Sequence, residues 1–165
     1  MGSGRGSGDN YMTENNLKII KYPDDFLRKK TREVEDFADP KVQQLVLDMV
    51  KAMEREKGIG LAAPQVGSNL RICVARVDNA LYTLINPEIK SYSKATEICE
   101  EGCLSFPGKF FPVERPTRVK IKARDLNGKK VKIKADGLLS RVLQHEIDHL
   151  DGVLIIDRAI KKHSA

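Results

Sequence analysis

Cysteine, histidine and long apolar runs are all scarce in this chain. There are three cysteines (Cys73, Cys99 and Cys103) and 3 histidines in 165 residues. An odd cysteine count argues against a disulfide-stapled secreted domain. The longest uncharged stretch, Gly58 to Leu70, is 13 residues and is broken by Pro64, Gln65, Ser68 and Asn69. A membrane-spanning helix needs about 20 mostly apolar residues. The start carries no basic segment followed by an apolar core, so no secretory signal is read. The expected setting is a reducing one, the cytosol or the interior of an organelle if a transit peptide was removed upstream. What remains suits a folded domain, with 41% hydrophobic and 32% charged residues. The net charge of +6 (29 Lys+Arg against 23 Asp+Glu) is compatible with a nucleic-acid neighbour but common in soluble domains.

Residues 1–11 form a Gly/Ser-rich leader without hydrophobic pattern, read as foreign to the fold, with Met12 the natural start. Residues 12–165 are read as a single catalytic domain with a short C-terminal tail. A helix is expected from Pro40, capped by Asp39, carrying Val42, Leu45, Val46, Met49, Val50 and Met53 on one stripe and ending before Gly58. Two strands follow, 71–75 and 81–85, the second stopping at Asn86-Pro87. Val119, Ile121 and Ala123 alternate with Lys120, Lys122 and Arg124, and Val131, Ile133 and Ala135 with Lys130, Lys132 and Lys134. This predicts a hairpin with one buried face. A three-residue loop, Leu126 to Gly128, pairs Ala123 with Val131 and Ile121 with Ile133, with Gly128 left-handed. Its basic residues read as the solvated face. A last helix is expected over 137–150, capped by Asp136 and closed by Gly152, apolar on more than one side and therefore buried.

That last helix carries Gln144-His145-Glu146-Ile147-Asp148-His149. Histidines at i and i+4 stand one turn apart, so both imidazoles reach one ion, and Glu146 can take a proton from water held there. His163 lies in the polar tail and reads as solvated. A catalytic centre keeps three protein ligands and an open position. Cys103 is the better third candidate. Cys99 is a rival that would close the site with two thiolates, and Cys103 could instead serve as a nucleophile with a histidine base. Cys73 reads as core.

Three segments together are highly specific. Gly58-Ile59-Gly60-Leu61-Ala62-Ala63-Pro64-Gln65, Glu101-Gly102-Cys103-Leu104-Ser105 and the histidine motif resemble the three motifs of peptide deformylases, in order and at suitable separations. The likeness runs from about Leu17 to Asp157. It implies an α+β fold with small mixed or antiparallel sheets packed around a central buried helix carrying HExxH. It implies one divalent ion held by Cys103, His145 and His149, physiologically Fe2+, with Zn2+, Ni2+ or Co2+ in purified protein. Glu146 would be the acid/base, and the Gln65 amide and Leu104 N–H the oxyanion donors, each contributing about 3 kcal/mol. Ile59, Gly60 and Gly102 would pair with the substrate backbone, and Phe110, Leu138 and Val142 would flank the methionine. Arg141 and Phe110 depart from the best-known bacterial members. Glu101, Arg115 and Asp148 are candidates for support behind the metal. The implied partners are N-formyl-Met nascent peptides and, transiently, the ribosome, although the short C-terminus weakens the case for stable docking there; neither DNA nor membrane is implied. Another small HExxH metallohydrolase or peptidase, and a non-catalytic zinc module, are the alternatives.

Overall fold

A computed structural model of the chain describes residues 16–161; the leader at 1–11, His163 and the end of the tail lie outside the described residues. The elements are α1 (Pro40–Arg55), β1 (Gly60–Ala62), β2 (Ile72–Val77), β3 (Ala80–Tyr92), β4 (Thr96–Cys103), β5 (Phe106–Pro116), β6 (Arg118–Arg124), β7 (Lys130–Asp136), α2 (Gly137–Leu150) and the short α3 (Ile155–Arg158). The named strands form two antiparallel sheets: one of five strands in the order β1-β2-β3-β6-β7, and the β4-β5 ribbon.

α1 starts as its sequence dictates, with the Asp39 carboxylate accepting from Lys41 N at 2.9 Å and proline in the first turn. It ends differently. Lys57, not Gly58, takes the left-handed conformation (φ 57°). Lys57 N–H and Gly58 N–H donate back to Glu54 O and Met53 O at 3.0 and 2.9 Å, closing the helix. Gly58 serves another purpose: a Cβ there would sit 2.8 Å from Leu104 Cδ1 and push that side chain aside.

β2 is buried along nearly its whole length because both faces of the sheet are covered. Ala62, Cys73, Ala75 and Leu84 pack with Val142, Leu143, Ile147 and Leu150 of α2. Leu61, Ile72, Val74 and Ile85 pack with Val46, Met49 and Met53 of α1. α2 therefore lies between the sheet and the ribbon, with Ser140 through Ile147, Arg141 excepted, and His149 and Leu150 all buried. The expected fold class holds. Asp136 occupies the cap position of α2 but makes no side-chain cap; Gly137 N–H donates instead to Thr117 O at 3.0 Å. At the other end Gly152 (φ 73°) closes the helix as anticipated.

The β6–β7 hairpin has the expected register, Ile121 opposite Ile133 and Ala123 opposite Val131, with Gly128 left-handed at φ 79°. β3 does not stop at Asn86-Pro87. It bulges there, Asn86 turning to φ 53° while its amide accepts from Val34 N (2.8 Å) and donates to Val34 O (2.9 Å), and then continues to Tyr92. Among the described residues, no helix is long and apolar enough to cross a membrane.

Candidate metal centre

The site is assembled from three elements. α2 supplies His145, Glu146 and His149; the end of β4 supplies Cys103; the turn after β1 supplies Gln65. The Cys103 thiol and one ring nitrogen from each histidine all lie within 4.8 Å of one another. Cys103 Sγ is 3.3 Å from His149 Nε2, and the two rings stand 5.0 Å apart at 68°. Cys99 is not in this cluster. It sits four residues back along β4, opposite Val113, and four strand residues span about 13 Å. Cys73 is in the core, and burial, then the charge of Glu146, pushes its thiol pKa up.

Behind His145 stands Glu101, buried and accepting four hydrogen bonds. Oε1 takes His145 Nδ1 (3.0 Å) and Arg115 Nη2 (3.0 Å); Oε2 takes Arg115 Nε (2.6 Å) and Arg141 Nη1 (2.6 Å). Both lone-pair positions on each oxygen are filled. Arg115 also reaches Asp148 at 2.9 Å, so all three residues anticipated as support are in one network. Burial opposes ionisation of Glu101, but the bonds from His145 and Arg115 outweigh it and hold its pKa down to about 2. The bond to Glu101 fixes the His145 ring and leaves Nε2 facing Cys103 and His149.

Arg141 is the participant whose role residue type alone did not reveal. Besides Glu101 it donates to Val113 O (2.9 Å) and Glu97 O (2.7 Å), tying β4, β5 and α2 together. Nothing in the sequence places this cation beside Glu101, 40 residues away; only the ribbon's fold over α2 does so.

These residues fit a cation. Burial disfavours a charged His145, yet bonds to Cys103 and Glu101 and the charge of Glu146 lift its pKa to about 10, so the pocket draws positive charge. His149 moves the other way, since burial and then the charges of His145 and Arg115 disfavour its protonated form. Its buried Nδ1 and Glu146 Oε2 have no hydrogen-bond partner among the described residues. A thiolate with two imidazoles suits a borderline-soft divalent ion. Burial is the main cause that raises Glu146 to about 7; the charge of His145 opposes it, and Glu101 and Asp148 add to it while Arg115 works against.

The Gln65 side chain is fixed from both ends. Its Oε1 accepts from Ala62 N (2.9 Å), and its Nε2 donates to Ser105 Oγ (3.1 Å) with Cys103 Sγ at 3.6 Å. A cleft of about 1020 Å³ opens over these groups. It is lined by Ile59, Gly60, Gln65, Gly102, Cys103, Leu104, Phe110, Leu138, Val142, His145 and Glu146, so the structure brings together every anticipated site residue except His149, which lies beneath. Phe110 (69% exposed) and Leu138 (55%) stand on the rim, whereas Val142 is buried. A methyl on Gly60 would run into the Glu146 carboxylate, and one on Gly102 would come within 3.0 Å of Phe110. Both glycines keep the walls of the cleft open.

A family model described as Polypeptide deformylase matches residues 16–165. The chain belongs to the polypeptide deformylase family. It is 49% identical over 145 residues to peptide deformylase from Dictyoglomus thermophilum, covering 88% of this chain and 94% of that protein. Peptide deformylase 1B, chloroplastic, from Oryza sativa subsp. japonica is 44% identical, covering 86% of this chain and 54% of that one. The crystal structure of peptide deformylase from Thermotoga maritima superposes with a TM-score of 0.86 at 42% identity, covering 89% of this chain and 99% of that one. Membership makes this chain a metal-dependent hydrolase of protein biosynthesis, acting on N-formylmethionyl peptides.

Proposed function

We propose that residues 12–165 act as one deformylase domain in which Cys103, His145 and His149 hold a single divalent ion, physiologically ferrous iron, with zinc, nickel or cobalt able to replace it. The chemistry such an ion supplies is Lewis acidity toward the formyl oxygen and activation of water near neutral pH. The chain's own residues do the rest. Glu146 takes the proton of the attacking water at Oε2 and returns it to the departing amine. Its raised pKa of about 7 matches that double duty. The unpartnered, buried Oε2 of Glu146, in the cleft that opens over the Cys103–His145–His149 cluster, is the observation that carries this reading.

The Gln65 amide and the Leu104 backbone N–H face the formyl oxygen as charge develops on it. Gln65 is suited to the role because Ala62 and Ser105 hold its amide in place before substrate arrives. The outer edge of β1, a terminal strand of its sheet, offers Ile59 and Gly60 to an extended substrate backbone, with Gly102 across the cleft. Phe110, Leu138 and Val142 flank the methionine side chain. The working place is the bacterial cytoplasm or an organelle, where new chains leave the ribosome and the enzyme meets it transiently.

The test is turnover of formyl-Met-Ala-Ser against acetyl-Met-Ala-Ser by the iron-loaded protein, read as release of free amine. The formyl peptide is expected to react at least about 100-fold faster, since a pocket with a fixed oxyanion donor discriminates by transition-state fit. Equal rates, or cleavage at internal peptide bonds, would assign the site to a peptidase instead.

A further inference from the structure

The basic hairpin takes no part in this chemistry, and its register is costly. Lys120 faces Lys134, Lys122 faces Lys132, and Arg124 faces Lys130, in three successive rungs on one face. Like charges directly opposite each other weaken an antiparallel pair. The five lysines are exposed; Arg124 is half-buried, stacked over Phe37 and bonded to Gly128 O at 3.0 Å. On the neighbouring strand Glu88 stands opposite Lys122, but Lys90 engages it at 3.0 Å. The hairpin's own two carboxylates lie at its ends: Asp125 in the loop, accepting from Asn127 N and Lys129 N at 2.9 Å each, and Asp136 opposite Arg118. The reverse face of these strands is packed against α2, while α1 covers the sheet from β1 to Ile85 of β3 and meets the hairpin at its loop, where Gln43 donates to Leu126 O at 2.6 Å, so the five lysines stay open to solvent. At one end a shallow groove of about 520 Å³ is lined in part by Ser91, Arg118, Lys120 and Lys134. A face needed only for solubility mixes signs. This one concentrates a single sign although the chain has 23 acidic residues to interleave.

We infer that the outer face of the β6–β7 hairpin is a docking surface for structured RNA, with the lysine rungs set against phosphates. The cations recur every second residue, about 7 Å apart along each strand, and about 5 Å apart across the pair, a flat ladder suited to a phosphate backbone. The three rungs carry no aliphatic or aromatic side chain to enter a bilayer interface, which disfavours a lipid surface. The choice of RNA rests on the proposed function, because newly made chains leave a particle rich in RNA.

The test uses the intact, metal-loaded protein and the double variant Lys132→Glu/Lys134→Glu on the edge strand β7, in which each new carboxylate faces a native lysine (Lys122 or Lys120) across the pair and neither is set opposite Glu88. Binding to a fluorescein-labelled RNA stem-loop is followed by anisotropy over a salt series, with phosphatidylserine vesicles as the second arm. The unaltered protein is expected to bind the RNA with a log–log salt slope of about −3 to −5. The variant should bind at least about 30-fold more weakly at about 100 mM salt, melt a few degrees higher because two repulsive rungs become attractive, and turn over formyl-Met-Ala-Ser unchanged. Equal RNA binding by both proteins would overturn the inference, as would vesicle binding at concentrations where RNA stays free. Absence of deformylation in both proteins would instead overturn the proposed function, which the peptide assay reads separately from the RNA titration.

Discussion

Glu146→Ala is expected to lower kcat/KM for formyl-Met-Ala-Ser by about 10² to 10⁴, the range lost when a positioned general acid/base is removed. Two further readouts tie this loss to proton transfer. Metal content should be unchanged, because the thiol and the two imidazoles that hold the ion remain. The thermal midpoint should hold or rise, because Glu146 is buried, its Oε2 lacks a partner, and burial already disfavours its charge. A group that costs stability where it stands is characteristic of a site built for chemistry. Activity within about 10-fold of the unaltered protein would remove Glu146 from the mechanism.

Glu101→Ala should have the largest effect on stability of any single change at the site. Glu101 and Arg115 are 6% and 5% exposed, and Arg141 shares the same carboxylate with little more exposure. Deleting the carboxylate leaves two guanidiniums facing each other with no common anion. Breaking a buried pair in this way costs about 3 to 5 kcal/mol, a large part of the total stability of an ordinary domain. Urea unfolding of the metal-free protein measures it without contribution from the ion. Removing the hydrogen bond to His145 Nδ1 should also weaken metal binding by about 10- to 100-fold, seen by competition with a chelator. A loss below about 1 kcal/mol would mean that Asp148 and the carbonyls of Val113 and Glu97 suffice to hold the two cations.

What could be read from the residues, and what could not, divides along physical lines. α1, α2 and the β6–β7 hairpin are specified locally: caps, stripes and strict alternation lie within a few residues of the structure they dictate. The register of the hairpin followed from keeping one face apolar through its turn. The β4–β5 ribbon escaped such reasoning because β4 buries one charged residue, Glu101, while β5 contains three prolines, at 107, 112 and 116. Its reason for pairing lies elsewhere in the chain, in the ion network and in the core of Leu27, Phe106, Val113, Leu154 and Ile155. Asn86 likewise reads as a stop until Val34, 52 residues away, is seen bonded to its amide. At the site, the histidine motif, Cys103 and Gln65 were legible because their spacing carries the chemistry. Arg141 was not, because its partners are Glu101 and two carbonyls supplied by a fold over α2. Lys57 in the left-handed position is a similar case, the glycine after it being reserved for the approach of Leu104.

The measurement that bears most directly on the whole account is X-ray absorption at the metal edge of the anaerobically prepared iron protein. One sulfur and two imidazole nitrogens around the ion, with a remaining light-atom position that exchanges with solvent or a hydroxamate, is the predicted coordination. Two sulfurs, which would recruit Cys99 and close the centre, or none, which would leave Cys103 uninvolved, would contradict it.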